Sequence, residues 1–310
     1  MGEKKNIVLD ASVLSTLMGC ARLVDLRYNN RFIPLKGKSN SLEVGSVVHK
    51  FLEIYYKNII NGFSKSISLQ HGMAAAEMYI TGCKTCMDGT RTCNHQPDEY
   101  PGLKNTPPDS TTQPKRIGWK YALDTCQQYY DYYTNDHWVP LEVEVVKGEV
   151  LYEDDTIRVL WKSKLDWIAD TNQAILPIDH KTGQARREML SLNNQFIGQC
   201  LIMKTRTMII NHVGFQTTLK PADKFVREPI SYSADRLIEW QSEILPYWAY
   251  RYLEYHESGY WPPNFTHCDT KYGPCVMRGI CESDRGMREE EIKINFMIGA
   301  EWNPTNESTD

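Results

Sequence analysis

The sequence has no apolar run approaching the roughly 20 residues that a membrane-spanning helix needs. Its first ten residues, Lys4 and Lys5 among them, contain no apolar stretch of signal-peptide length. These absences predict a protein of the cell interior with no membrane partner, cytoplasmic in a bacterium or an infected host cell. Positive charge is not in excess either: Lys and Arg number 35 against 39 Asp and Glu, a net charge of −4 over 310 residues. A uniformly basic, histone-like nucleic-acid binder is excluded, while a local basic groove is not. No G-x-x-x-x-G-K-[ST] loop is present, so any unwinding of a duplex must come from a partner. No internal repeat divides the chain. With 41% apolar and 24% charged residues it reads as one globular domain over 1–300, followed by a frayed tail at 301–310.

Cysteine is present nine times, an odd number that argues against a disulfide framework in a reducing compartment. Cys83, Cys86, Cys93 and the adjacent His95 can close a tetrahedral zinc site, or are incidental thiols of a polar loop. Cys268, Cys275 and Cys281 follow a C-x6-C-x5-C spacing that fits no zinc ribbon. Being one thiolate short of four, they need a distant partner, for which Cys20 is the natural candidate. Cys126 and Cys200 lie on apolar helix faces and read as small core residues.

Periodicity predicts a mixed α/β protein. Leu14, Leu17, Met18, Ala21 and Val24 mark a first helix capped by Asp10 or Ser12. Val44, Val48, Phe51, Leu52, Tyr55 and Ile59 mark a second, on which His49 follows Val48. Residues 82–118, with five prolines and few aliphatics, read as a long surface insertion, and a helix resumes from Trp119 to Tyr133. Leu141, Val143 and Val145 alternate with Glu142 and Glu144 as in a half-buried strand. Further strands are expected at Ile157 to Trp161, Leu165 to Ala169, Ala174 to Asp179 and Thr207 to Thr218. Helices are expected from Leu190 to Met203 and from Ser233 or Ala234 to Gly259.

The stretch LWKSKLDWIADTNQAILPIDHKTG, from Leu160 to Gly183, carries the chemistry. A hairpin there would bring Asp166 and Asp179 to one edge of a sheet, where two converging carboxylates repel unless a divalent cation holds both ionised. Lys181, two residues after Asp179, points to the same face. Taken alone, Asp-x-Lys reads first as a surface ion pair.

In this order, Gly45, His49 and Glu53 on a helix, Asp166 after a strand, Asp179-x-Lys181 after the next and Gln195 on the following helix resemble the PD-(D/E)xK nuclease superfamily, in its RecB-like, phage-type exonuclease branch. The resemblance runs from about Cys20 to Cys281 and omits the insertion. It implies a restriction-endonuclease-like α/β fold, a mixed sheet flanked by helices, and metal-dependent hydrolysis of DNA phosphodiesters in replication, recombination or repair. His49, Asp166, Asp179 and the backbone carbonyl of His180 would then be Mg²⁺ or Mn²⁺ ligands. Asp166, Asp179, Lys181 and Gln195 would form the catalytic set. Where that family often has a tyrosine four residues after the glutamine, this chain has Gln199. In the same family one N-terminal and three C-terminal cysteines hold a [4Fe-4S] cluster that ties the chain ends around the core, a role for Cys20, Cys268, Cys275 and Cys281. A zinc ion on the same four thiolates is the alternative.

Between Lys181 and Arg206, five basic residues (Lys181, Arg186, Arg187, Lys204 and Arg206) face the single acidic Glu188. Such a stripe can neutralise DNA phosphates or be an ordinary solvated surface. Expected partners are DNA and a helicase, recombinase or single-strand-binding protein. The opposing reading is a non-catalytic nucleic-acid-binding module on a degenerate nuclease fold, against which the retained Lys181 argues.

Overall fold

The computed structural model describes residues 4–35, 40–81, 119–183, 192–216, 218–270 and 273–301. Strand β1 (Lys5–Leu9) leads into helix α1 (Ala11–Gly19), which starts where the Asp10 side chain accepts the Val13 N–H at 2.7 Å. Helix α2 (Ala21–Val24) continues into a π-helical turn, Asp25–Asn29, and β2 (Phe32–Pro34) follows. Helices α3 (Asn40–Ile60), α4 (Lys65–Thr81) and α5 (Trp119–Tyr133) precede the long hairpin of β3 (Val139–Glu153) and β4 (Ile157–Asp170). Then come β5 (Ile175–Gly183), α6 (Asn194–Ile202), β6 (Thr207–Gly214), α7 (Pro221–Lys224), β7 (Phe225–Ser231), α8 (Ala234–Glu239) and α9 (Leu245–Ser258). Gly259, at φ 66°, ends α9 in the left-handed conformation that glycine adopts without strain.

Three expectations change. Ile157 to Trp161 and Leu165 to Ala169 are one strand, because Ser163 is buried and the two-residue alternation runs unbroken past Lys162 and Lys164. Helix α6 starts at Asn194 rather than Leu190, where the Asn193 side chain accepts the Gln195 N–H at 2.8 Å. Strand β6 ends at Gly214. Strands β1 and β7 were not expected at all.

The main sheet is mixed. Its order is β1-β4-β5-β6-β7, with β3 on the other edge of β4. Strand β1 runs parallel to residues Ile157 to Trp161 of β4, and β5 runs antiparallel to Trp167 to Asp170 of the same edge. Among the described residues, no strand pairs with residues 162–166 of β4 on that edge. Beyond Ile178, β5 runs in parallel register with β6 instead. The sheet is thus split beside Asp166.

Helices pack on both faces. On β6, Met208 and Ile210 join an apolar cluster with α1, α6 and α9, while Ile209 and Val213 join a second with α3 and α5. Two glycines allow close approach. A Cβ at Gly198 of α6 would collide with the Trp161 indole. A Cβ at Gly45 of α3 would lie 2.8 Å from Thr182 Oγ1 on β5. Because Trp161 is fully buried, Gly198→Val should cost on the order of 1–3 kcal/mol in urea unfolding; a neutral result would show that α6 can back away. Among the described residues no helix is long and apolar enough to cross a membrane.

Candidate metal centre

The split exposes backbone that β4 would otherwise satisfy. There the His180 N–H donates to Asp166 Oδ2 at 2.8 Å, so a side chain replaces the missing main-chain partner. Helix α3 brings His49 Nδ1 to 3.8 Å from the same oxygen. From the other edge of β4 comes Glu144. The register pairs Val143 with Trp167 and Val145 with Leu165, which sets Glu144 opposite Asp166. One donor atom each from His49, Glu144 and Asp166 lies within 4.8 Å of the others, a group able to hold a divalent cation. Glu144 has φ 53°, a left-handed conformation that is costly for a side-chain-bearing residue and concentrates at functional sites. Lys164, two residues before Asp166, holds the Glu144 carboxylate at 2.6 Å.

A second group adjoins the first. Asp179, with a side chain only 1% exposed, pairs with Lys181 Nζ at 2.6 Å and accepts from Gln195 Nε2 at 2.6 Å. Gln195 Oε1 in turn accepts from Lys181 Nζ at 3.3 Å. One α6 amide therefore clamps both members of the Asp-x-Lys motif. Asp179 Oδ2 is buried and accepts no hydrogen bond beyond its ion pair with Lys181.

The electrostatics suit a divalent cation. Burial, then the Asp179 carboxylate, push Asp166 up to about 7. Burial, then Asp166, raise Glu144 as well. Burial lowers His49 below the usual imidazole value, which keeps it neutral and able to ligate. A bound dication would relieve both carboxylates.

The structure brings His49 and Asp166 together, and Asp179, Lys181 and Gln195 form the adjoining clamp. From His180, it is the N–H that reaches Asp166. Glu53 lies outside the group, bound to Lys50 at 3.0 Å and Lys57 at 2.6 Å. Gln199, 1% exposed, is buried within α6. Glu144 was missed. Its alternation with Val143 and Val145 reads as a solvent face, and a plain count outward from the Asp154–Thr156 turn sets it opposite Trp167; only the register shift between Val150 and Tyr152 brings it opposite Asp166.

Of the basic stripe, Lys204 and Arg206 are exposed, and Lys204 pairs with Glu149 at 3.3 Å. Arg186 and Arg187 lie outside the described residues, as do Cys83, Cys86, Cys93 and His95, and the tail beyond Glu301. Cys126 and Cys200 are buried, as expected. Cys20, Cys268, Cys275 and Cys281 are free thiols that border one small cavity with His267 and Arg278. Among the described residues, the tight group of three metal-type donors contains none of them. Three hydrogen bonds join the chain ends there: Asn264 N–H to Cys20 Sγ at 3.3 Å, Asn264 Nδ2 to the Gly19 carbonyl at 2.7 Å, and Arg22 N–H to the Pro262 carbonyl at 3.1 Å.

No protein-family model matches the chain, and no curated protein matches it. Among solved structures it is similar to a Eubacterium rectale protein named as a candidate exonuclease, with a TM-score of 0.46 and 13% identity over 87% of this chain and 92% of that one.

Proposed function

We propose that the chain is a metal-dependent deoxyribonuclease of PD-(D/E)xK type, acting on DNA ends during replication, recombination or repair. The observation that carries this reading is the split of the sheet, which gathers His49, Glu144 and Asp166 beside the Asp179–Lys181–Gln195 clamp. The donor set of one imidazole and two carboxylates suits Mg²⁺ or Mn²⁺, and Asp179 Oδ2 has further acceptor capacity. When bound, such a cation supplies Lewis-acid stabilisation of charge on a phosphate and a water of lowered pKa.

The chain's own residues do the rest. Gln195 fixes the Lys181 ammonium, which at 37% side-chain exposure faces the mouth of the site and can bind a non-bridging phosphate oxygen. His180 N–H orients Asp166. Lys164 pairs with Glu144 and holds its carboxylate in place. Lys204 and Arg206 would steer DNA phosphates, and a helicase, recombinase or single-strand-binding protein would be the protein partner.

Cys20, Cys268, Cys275 and Cys281 we assign to a structural [4Fe-4S] cluster. The common cavity and the three hydrogen bonds that already close it support the assignment.

The test is full-length, anaerobically purified protein with end-labelled single- and double-stranded DNA in Mg²⁺, Mn²⁺ or EDTA. Cation-dependent cleavage supports the reading. Binding without cleavage in every cation would replace it with the non-catalytic module. Glu144→Gln should weaken Mn²⁺ binding by about 10-fold or more in calorimetry, since it removes a charged donor. An unchanged affinity would leave the cation to Asp166 and Asp179.

A further inference from the structure

Behind the site runs a buried polar chain that none of the roles above uses. On β6, Asn211 is cross-strand from His180 and fully buried. Its amide nitrogen lies 2.8 Å from His180 Nδ1 and 3.0 Å from the Tyr129 hydroxyl on α5. Tyr129 and Tyr56 share a hydrogen bond at 2.8 Å between their hydroxyls. The Arg227 guanidinium on β7 approaches both hydroxyls at 3.4 and 3.5 Å and pairs with Asp136 at 2.6 Å. It lies over the rings of Tyr133 and Trp138 at 3.9 and 4.2 Å. The His180 imidazole itself stacks on Tyr56 and Trp167, with centroids 6.2 and 5.9 Å away.

A buried cation with one carboxylate and an aromatic cage is expensive to assemble, and removing either charge leaves the other unpaired. Such a construction holds one geometry. What it holds, at its far end, is a ring whose own backbone N–H grips Asp166 and whose neighbours in sequence are Asp179 and Lys181.

We propose that Asn211, fixed by Tyr129 and the Arg227 guanidinium, is a positioning residue of the metal centre: it locks the His180 imidazole and with it the strand between Asp179 and Lys181. The inference rests on the nuclease reading of the site. With the Asn211 nitrogen donating to Nδ1, the ring carries its proton on Nε2, and a ring so anchored holds β5 against β6, which keeps the His180 backbone N–H on Asp166. Groups in this position change metal affinity or activity by on the order of 10–100-fold when removed. A purely structural network would instead change only the melting temperature.

The test compares full-length Asn211→Leu and Tyr129→Phe with wild type, all well below their melting temperatures. Readouts are Mn²⁺ affinity by calorimetry, cleavage kcat and KM, and the ¹⁵N spectrum of the imidazoles. The expected result for Asn211→Leu is Mn²⁺ affinity and kcat each lower by about 10-fold or more, partly restored by excess Mn²⁺, with KM for DNA unchanged. Tyr129→Phe, which removes only a hydroxyl, should move in the same direction by less. Should Asn211→Leu not fold, Tyr129→Phe decides. Wild-type affinity, kcat and His180 spectrum in the folded variants would overturn the inference. A wild type that neither binds Mn²⁺ nor cleaves would instead sink the nuclease reading, and the His180 resonances would then decide the Asn211 lock alone: altered in the variants, they sustain it; unaltered, they end it.

Discussion

An Asp166→Asn protein loses cleavage by on the order of 10³-fold and, in EDTA at pH 8, melts at a higher temperature than wild type. The opposed signs follow from one fact: the ionised Asp166 is held in a buried site beside Asp179, and its carboxyl is pushed up to about 7 from an ordinary value of 3.8. A carboxyl whose folded pKa exceeds its unfolded one holds a proton that the unfolded chain has already released. Its ionisation therefore subtracts stability as pH rises through the window from about 4 to about 7, and the loss persists above it. Asparagine keeps the oxygen that accepts the His180 N–H and removes the charge, which also relieves Glu144. The gain should vanish near pH 4, where wild-type Asp166 is protonated. Mn²⁺ should raise the wild-type melting temperature strongly at pH 8, weakly at pH 5.5, and leave Asp166→Asn almost unmoved. Melting curves in EDTA and Mn²⁺ at those pH values, beside a cleavage assay, check all of this. A variant less stable than wild type at pH 8 in EDTA would mean that Asp166 is already compensated within the protein and needs no cation.

The sequence made half of this centre legible, and the missing half has a common cause. His49, Asp166, Asp179, Lys181 and Gln195 were legible through their order along the chain, which resembles that of a nuclease family, and not through periodicity. Glu144 was not, because in β3 the alternating pattern distinguishes two faces without saying that one lies over the split in the sheet. That split depends on β1 pairing in parallel with β4 across some 150 residues of chain, a contact that no local pattern encodes. Asn211 was hidden for a related reason. In the run Met208 to Val213 it and His212 are polar among buried apolar residues, and its partner Tyr129, with Arg227 behind that hydroxyl, comes from elements remote in sequence, α5 and β7. The break read between Trp161 and Leu165 was the opposite error: the alternation that defines the strand passes straight through Lys162 and Lys164.

The four cysteines at the chain ends supply the other large effect. Cys275→Ser should abolish the brown colour of anaerobically prepared protein, lower its melting temperature by many degrees, and abolish cleavage as a consequence of lost folding. Burial, then the neighbouring thiols, raise Cys268 and Cys275 and keep them neutral; a cationic centre would favour their thiolates instead. Arg278 shapes the cavity, binding Asp269 beside Cys268 at 2.7 Å and Glu282 beside Cys281 at 2.6 Å. Asn264 bonds both Gly19 and Cys20, so the N-terminal thiol is already placed against the C-terminal loop. A cluster there would cross-link the chain from Cys20 to Cys281. By analogy with a disulfide closing a loop of that length, the lost entropy of the unfolded chain is worth about 5 kcal/mol, comparable to the whole stability of many domains. Because the first and last ligands flank α1 and the loop after α9, both of which pack on the face that carries α6, loss of the cluster should loosen α6 and the Gln195 clamp before the hairpin of β3 and β4. Iron analysis, visible absorption and hydrogen exchange of α6 test the chain of cause. A colourless, iron-free wild type that folds and cleaves normally would rule the cluster out and leave zinc on the same four thiolates, where Cys275→Ser would lose a zinc ion and the melting temperature together.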